Sequence, residues 1–259
     1  MSKQYVWSGQ GPIYLGDYDP DNGTAEMGYI TNLYKIGCAN SALTVTPNRS
    51  TTIIKESCSG SRLDLDEIET ALGLTVNLTM QQYSRDELAL ALYGTNSLVA
   101  SGSITDEALP TVADDDYAFL KHPATVASLV ITDSDGTPAT LVADTNYQII
   151  DANQGIIQFL DVAGFTQPFK CAYDHAAYGN IAVFENTGIR KGLVYTGKNQ
   201  DGDRARVIIP NLSMAPGGAF SLLSPEPTDL QLTGMAFYVP LLEGDTSYGK
   251  FMRVDNLPE

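Results

Sequence analysis

The sequence predicts an all-β protein with one flanking α-helix, and three observations carry that expectation. Short β-type runs recur at the roughly 8–12-residue spacing of sandwiches and barrels, separated by Gly, Asn, Asp and Pro. Apolar residues make up 43 % of the 259 residues, enough to bury a core. Helix start and stop signals come together in one stretch, from Ser84 to Gly94.

Residues 13–15 and 27–36 read as strands flanking an Asp-Pro-Asp-Asn-Gly turn that ends at Gly23. Residues 43–46 and 51–57 follow. Residues 62–68 then alternate charged and apolar through their first five positions. Leu74, Val76, Leu78 and Met80 alternate with Thr75, Asn77, Thr79 and Gln81. Both stretches predict strands with one apolar and one wet face. Ser84 is an N-cap, Glu87 three residues on closes a capping box, and Gly94 stands where a left-handed C′ residue belongs. Between them, residues 88–93 are apolar nearly all the way round, which predicts burial on more than one side. One flank meets the helix's own sheet, and the other meets a neighbouring subunit through Leu88, Leu90, Leu92 and Tyr93. The alternative is a helix tucked wholly inside its own domain.

The texture changes at Pro123. Runs at 128–131, 141–142, 147–150 and 156–159, with turns at Asp135-Gly136 and Asn153-Gln154-Gly155, predict a compact inserted β-hairpin module over 123–163. The rhythm then returns at 169–173, 180–184, 191–195, 204–209, 219–223 and 230–239. A single domain is expected, with core 12–122 and 164–242 and extended arms at 1–11 and 243–259.

Charge removes several function classes. The 31 Asp and Glu against 15 Lys and Arg give −16, with pI near 4.3, so a basic patch for sequence-independent nucleic-acid binding is excluded. No run of about 18 apolar residues exists, and residues 1–5 carry no apolar signal core. A soluble protein made in a cytoplasm is expected. Cys38, Cys58 and Cys171 are odd in number and lack C-x-x-C spacing, which speaks against a disulfide framework or zinc knuckle. Asp17, Asp19 and Asp21 take the first, third and fifth places of a calcium loop. However, Gly23 falls one place late and Gly28 stands where a bidentate Glu is needed, so a turn is expected. His122 and His175 come without a Gly-x-Ser-x-Gly elbow. No enzyme, cofactor or metal is expected.

The opening Gly9-Gln10-Gly11-Pro12-Ile13-Tyr14-Leu15-Gly16 is followed by a polar turn, then Ile36-Gly37-Cys38 and Leu43-Thr44-Val45. Glu56-Ser57-Cys58-Ser59-Gly60-Ser61-Arg62 has the form E-S-x-S-G-x-R between two long strands, and Leu90-Ala91-Leu92-Tyr93-Gly94 the form L-A-L-x-G. Tyr147, Asp151 and Gly155 fit a hairpin module common in phage tail and baseplate proteins. Residues 211–216 and 232–234 resemble closing strands. In this order the features resemble the major tail tube proteins of long-tailed, non-contractile bacteriophages.

That resemblance implies a β-sandwich or half-barrel related to the type VI secretion tube protein. It implies six-subunit rings stacked into a tube, with the 123–163 insert outside; the C-terminal immunoglobulin-like decoration that some members carry is not evident in this sequence. The implied partners are further copies of the chain, the tape measure protein, tail terminator and tail tip proteins, and passing DNA that is not specifically bound; no membrane is involved. The implied location is the virion tail, assembled in the host bacterial cytoplasm. An acidic wall suits a DNA conduit, since it repels the phosphate backbone. The lumen candidates are Glu56, Asp64, Asp66, Asn77, Thr79 and Gln81; alternatively these acids face bulk solvent or pair with Arg62 and Lys55. Ring stacking is expected from the 16–27 loop, with Asp17, Tyr18, Asp19, Asp21 and Asn22, and from both arms. The runner-up function is a carbohydrate- or receptor-binding β-module of a phage or bacterial surface, marked by an exposed aromatic cluster.

Overall fold

The structure, a computed structural model, describes residues 9–123, 125–200 and 202–257. The chain divides into two compact units, Met1–Thr95 with Ile181–Glu259, and Asn96–Asn180. The first unit opens with β1 (Ile13–Tyr18), β2 (Ile30–Lys35), β3 (Asn40–Lys55), β4 (Asp64–Met80) and helix α1 (Arg85–Ala91). β5 (Thr95–Val99) leads into the second unit, which holds β6 (Gly102–Ala108), β7 (Tyr117–Phe119), β8 (Ala127–Thr132), β9 (Tyr147–Asp151), β10 (Ile156–Phe159) and β11 (Lys170–His175). β12 (Tyr178–Ala182) leads back. β13 (Arg190–Lys198), β14 (Arg204–Pro216), β15 (Leu230–Ala236) and β16 (Arg253–Leu257) complete the first unit. The protein is predominantly β with a single short α-helix among the described residues, as the sequence predicts.

The first unit is built on one antiparallel sheet, ordered β2-β1-β13-β14-β15-β4-β3, with β16 also on β14. β14 pairs along one edge with β13. Along the other edge it pairs with β15 over 212–216 and with β16 over 204–208. Alternation puts Leu74, Val76, Leu78 and Met80 on the core face, each at most 5 % exposed. They share one cluster with Leu15, Leu193, Ile209 and Leu232. Residues from β1 and β4 meet in that cluster although three strands lie between them in the sheet, so the sheet curls. The opposite face is covered at the β1–β13–β14 end by Ile30, Val239, Leu242 and Tyr248. Gly16 and Gly192 face each other across β1 and β13. A Cβ on Gly192 would lie 2.4 Å from Cγ1 of Ile30, so the bare backbone here is what admits that side chain.

The expected capping box is present. Ser84 accepts from the Asp86 N–H, and the Glu87 carboxylate accepts from the Ser84 N–H. The left-handed residue at the helix end is Tyr93, at φ 51°, and not Gly94. Gly94 is needed for space: a Cβ there would meet the Ala182 carbonyl oxygen at 2.7 Å.

Three expectations change. Residues 43–46 and 51–55 belong to one strand, as do 64–68 and 74–80, because β3 and β4 pair from Asn40 opposite Met80 to Lys55 opposite Asp64, while 56–57 and 62–63 lie in the tip loop. Residues 219–223 form no strand. The 243–259 segment is not an extended arm through its described part. Tyr248 is 1 % exposed, its hydroxyl donates to the Glu26 carbonyl at 2.6 Å, and β16 joins the sheet. At the other end, residues 1–8 lie outside the described residues, while Gln10 exchanges two backbone hydrogen bonds with Lys198.

The second unit has two three-stranded antiparallel sheets, β7-β10-β9 and β6-β11-β8. Their shared core includes Ile131, Ile157, Phe159, Phe169 and Cys171, with the Phe159 and Phe169 rings stacked at 5.4 Å. The unit is therefore wider than the 123–163 module. The predicted hairpins bury their inner faces only with β6, β7 and β11 alongside. The β9–β10 turn is as expected: the Asp151 carboxylate accepts from the Asn153 and Gln154 N–H groups, and Gly155 has φ 64°.

Candidate functional site

The feature that a folded monomer leaves unpartnered is the far half of the β3–β4 hairpin. Its near half is anchored in the core by Leu74, Val76 and Leu78, with Leu43 and Val45 packed against them. Beyond Arg49 and Leu72 both strands are exposed on both faces. Ile53, Ile54, Leu63, Leu65, Ile68 and Leu72 are 38–69 % exposed there. A two-stranded ribbon with large apolar side chains in water on both of its faces is marginal by itself, and such exposure suits an interaction surface.

Register decides which residues share a face. Thr75, Asn77 and Thr79 lie on the face away from the core. Asn48 donates to Thr75 Oγ1 at 2.8 Å and Thr233 donates to Asn77 Oδ1 at 2.8 Å. Two bulges then interrupt the alternation, one where Ser50 and Thr51 face Ala71 and Glu69, the other where Ile54 and Lys55 face Asp66 and Asp64. In each, β4 contributes one extra residue, and an extra residue exchanges the faces beyond it. The first bulge puts Asp66 on the same face as Asn77 and Thr79. The second puts Asp64 on the opposite face, where it meets Lys55 at 2.6 Å. Arg49 on that same face pairs with Glu69 at 3.0 Å and Glu67 at 3.7 Å.

Of the six lumen candidates, then, Asp66, Asn77 and Thr79 share a face, and Asp64 does not join them. Gln81 lies just past β4, its N–H donating to the Ala39 carbonyl. Glu56 lies in the tip loop and folds onto it: its carboxylate accepts from the Cys58 and Ser59 N–H groups and the Ser59 hydroxyl. Those bonds, the Ser59 hydroxyl foremost, hold its carboxyl below the usual carboxylate range.

The helix candidates divide in the same way. Leu90 is 3 % exposed and belongs to the unit's own core, so it is not available to a neighbour. Leu88 is half-buried against that core. Leu92 and Tyr93 line a pocket of about 210 Å3 with Val183, Phe184, Phe220 and Asp229. The Tyr93 and Phe184 rings sit 6.2 Å apart, and Phe184 is 74 % exposed. One carboxylate oxygen of Asp229 is buried without a hydrogen-bond partner among the described residues. Sequence reasoning missed Asp229, since nothing in its local pattern separates it from the other acids.

In the 16–27 loop, Asp17 and Tyr18 are strand residues of β1 and not free loop residues. Asp17 meets Lys191 at 2.6 Å and accepts from Asn32 at 3.1 Å. Partial burial alone would raise its carboxyl, but the Lys191 and Asn32 hydrogen bonds and the Lys191 charge outweigh it and hold the group below its ordinary value. Tyr18 packs against the Ile30 and Tyr248 cluster. Asp19 accepts from the Asn22 side chain and from the Asp21 and Asn22 N–H groups, a turn that leaves Asp21 and Asn22 exposed.

Cys38 and Cys58 are exposed; Cys171 is buried, and burial with the nearby Glu107 charge pushes its thiol up to about 12. His122 is half-buried. Its ring stacks on His175 at 4.6 Å, and its Nδ1 lies 3.1 Å from the Tyr178 hydroxyl. The His175 Nδ1–H donates to the Ala176 carbonyl, and Asp174 accepts from Ser103 directly. Among the described residues no three His, Cys, Asp or Glu gather as a metal site, and no helix is long and apolar enough to cross a membrane.

Fold and site define a mostly antiparallel β protein with one capped helix and a long hairpin whose far half is exposed on both faces among the described residues. The chain belongs to the family described as protein of unknown function UCP028589, whose model matches residues 6–255. No curated protein matches it in sequence.

Proposed function

We propose that this protein is the repeating subunit of a tail tube of a long-tailed, non-contractile bacteriophage, assembled as stacked six-membered rings in the virion. The observation that carries the reading is the β3–β4 hairpin, whose far half exposes six large apolar side chains, a surface that suits cover by a neighbouring copy. The curled sheet with its single flanking helix supports the tail-tube fold and its kinship with the type VI secretion tube protein. The net charge of −16 supports a conduit that lets DNA pass without adhering, with Asp66, Asn77 and Thr79 on the wall. The proposed partners are further copies, the tape measure protein, and terminator and tip proteins. No catalytic step, cofactor or membrane is assigned. Sedimentation velocity at rising concentration tests this reading: a step from monomer to six-fold mass supports it, and a monomer or trimer at every concentration contradicts it.

A second reading attaches to the Asn96–Asn180 unit. On β7, Tyr117 and Phe119 are 55 % and 66 % exposed, paired across from Gln158 and Ile156 on β10. Gln148 and Gln158 share a side-chain hydrogen bond of 2.7 Å beside them. Exposed rings next to amides suit a carbohydrate- or receptor-binding face. Glycan-array binding that Tyr117→Ala with Phe119→Ala abolishes supports it; a blank array contradicts it.

A further inference from the structure

We propose that the pocket beside the end of α1 receives the guanidinium of Arg62 from the hairpin tip of a second copy. The inference rests on the ring-forming reading above and names the two surfaces that meet. Asp229 is the pocket's one charged side chain, and one of its oxygens is buried with no hydrogen-bond partner among the described residues. A buried acceptor left unpaired is costly and calls for a donor. Tyr93, Phe184 and Phe220 supply aromatic walls, and ring faces attract cations. A planar cation that donates to a carboxylate while lying against rings is an arginine side chain.

Arg62 matches this. It is exposed and makes no ion pair among the described residues, whereas Arg49, Arg206 and Arg253 are each paired with acids. Arg85 and Arg204 have no such pair either, but Arg85 opens α1 and Arg204 opens β14, and Arg62 alone of the three lies at the exposed hairpin tip. Arg190 is held over the Phe237 ring. Next to Arg62, Leu63 is 64 % exposed. Phe184 at the pocket, and Leu222 and Leu223 just beyond Phe220 in the chain, are 74–95 % exposed. An arginine flanked by leucine thus faces an acid flanked by apolar residues.

The pairing must occur between copies. Leu230, which lines the pocket, pairs with Met80 at one end of β4, and the tip lies past Asp64 at the other. At about 3.3 Å per residue the two are roughly 50 Å apart along the strand. A donor and an acceptor this far apart on one copy make a head-to-tail contact, the kind that builds closed rings or continuing helical stacks.

The test is a charge swap read by sedimentation velocity. Arg62→Gln and Asp229→Asn are each expected to raise the assembly concentration about tenfold or more, the scale of a desolvated charged hydrogen bond. Arg62→Asp combined with Asp229→Arg is expected to recover most of that loss. Arg62 sits at an exposed tip, so its variant reports on contact and not on folding. Wild-type rings with single variants that assemble as well as wild type would overturn the pairing while leaving the ring reading intact. If wild type forms no rings, calorimetric dilution of the full chain decides. A dissociation heat that both Arg62→Gln and Asp229→Asn abolish upholds the pocket's assignment, and a heat that neither variant changes, or no heat at all, overturns it.

Discussion

Asp17 shows most clearly how a residue's environment outruns its sequence context. In the sequence it opens an acidic turn; in the structure it is a strand residue locked to Lys191, whose side chain is only 18 % exposed. Its folded carboxyl lies below its ordinary value, so its contribution to stability is present above about pH 4 and is lost as pH falls through the folded value. Thermal unfolding between pH 2 and 6 is therefore expected to show a wild-type decline on acidification that Asp17→Asn makes shallower. Equal slopes would remove the ion pair from the account. Gly192 is a second residue-scale case. A Val there would collide with Ile30, and overpacking of this kind costs about 1–3 kcal/mol, measurable by urea unfolding as a lower midpoint. Neither role was legible from sequence. A glycine in a strand signals close approach, but only the fold says to what.

At the scale of elements, legibility follows how local each signal is. The capped helix was readable because Ser84, Glu87 and the apolar run lie within one short stretch. Ser84→Ala is expected to cost about 1 kcal/mol. The alternation of 74–80 was readable for the same reason. The two bulges were not, because a bulge is defined by the partner strand, and Thr70 and Leu65 look like any other residues in line. Hence Asp64 and Asp66 read as one face and stand on two. β6 was missed since Gly102–Ala108 is polar, and it is a strand through its pairing with β11. β16 is alike: Asp255 accepts from Arg206 at 2.7 Å and from Arg253 at 2.7 Å, a charge-assisted tie that fastens a polar segment to β14. Asp255→Ala is expected to cost about 2 kcal/mol and to speed hydrogen exchange in 253–257 selectively. Unchanged exchange there would show that β16 is held by other contacts.

For the whole molecule, acidity and an uncovered hairpin pull against each other. Copies carrying −16 repel at low salt, while in the proposed assembly the apolar surface on the hairpin favours contact. Raising salt from about 20 mM to about 300 mM shortens the screening length and is expected to lower the assembly concentration, since desolvated contacts are screened far less than surface charge. Substituting Ile53, Leu65 and Ile68 with Asp should block association while leaving the unfolding midpoint of the monomer nearly unchanged, because these side chains lie outside the core clusters. A large drop in midpoint would mean that the hairpin tip supports its own fold instead of a neighbour's.

The most direct measurement is negative-stain electron microscopy of the concentrated protein, alone and after seeding with tail tips. The account predicts hollow tubes or six-fold rings, lost in the Ile53, Leu65 and Ile68 variant. Particles that stay monomeric or trimeric even when seeded would contradict it.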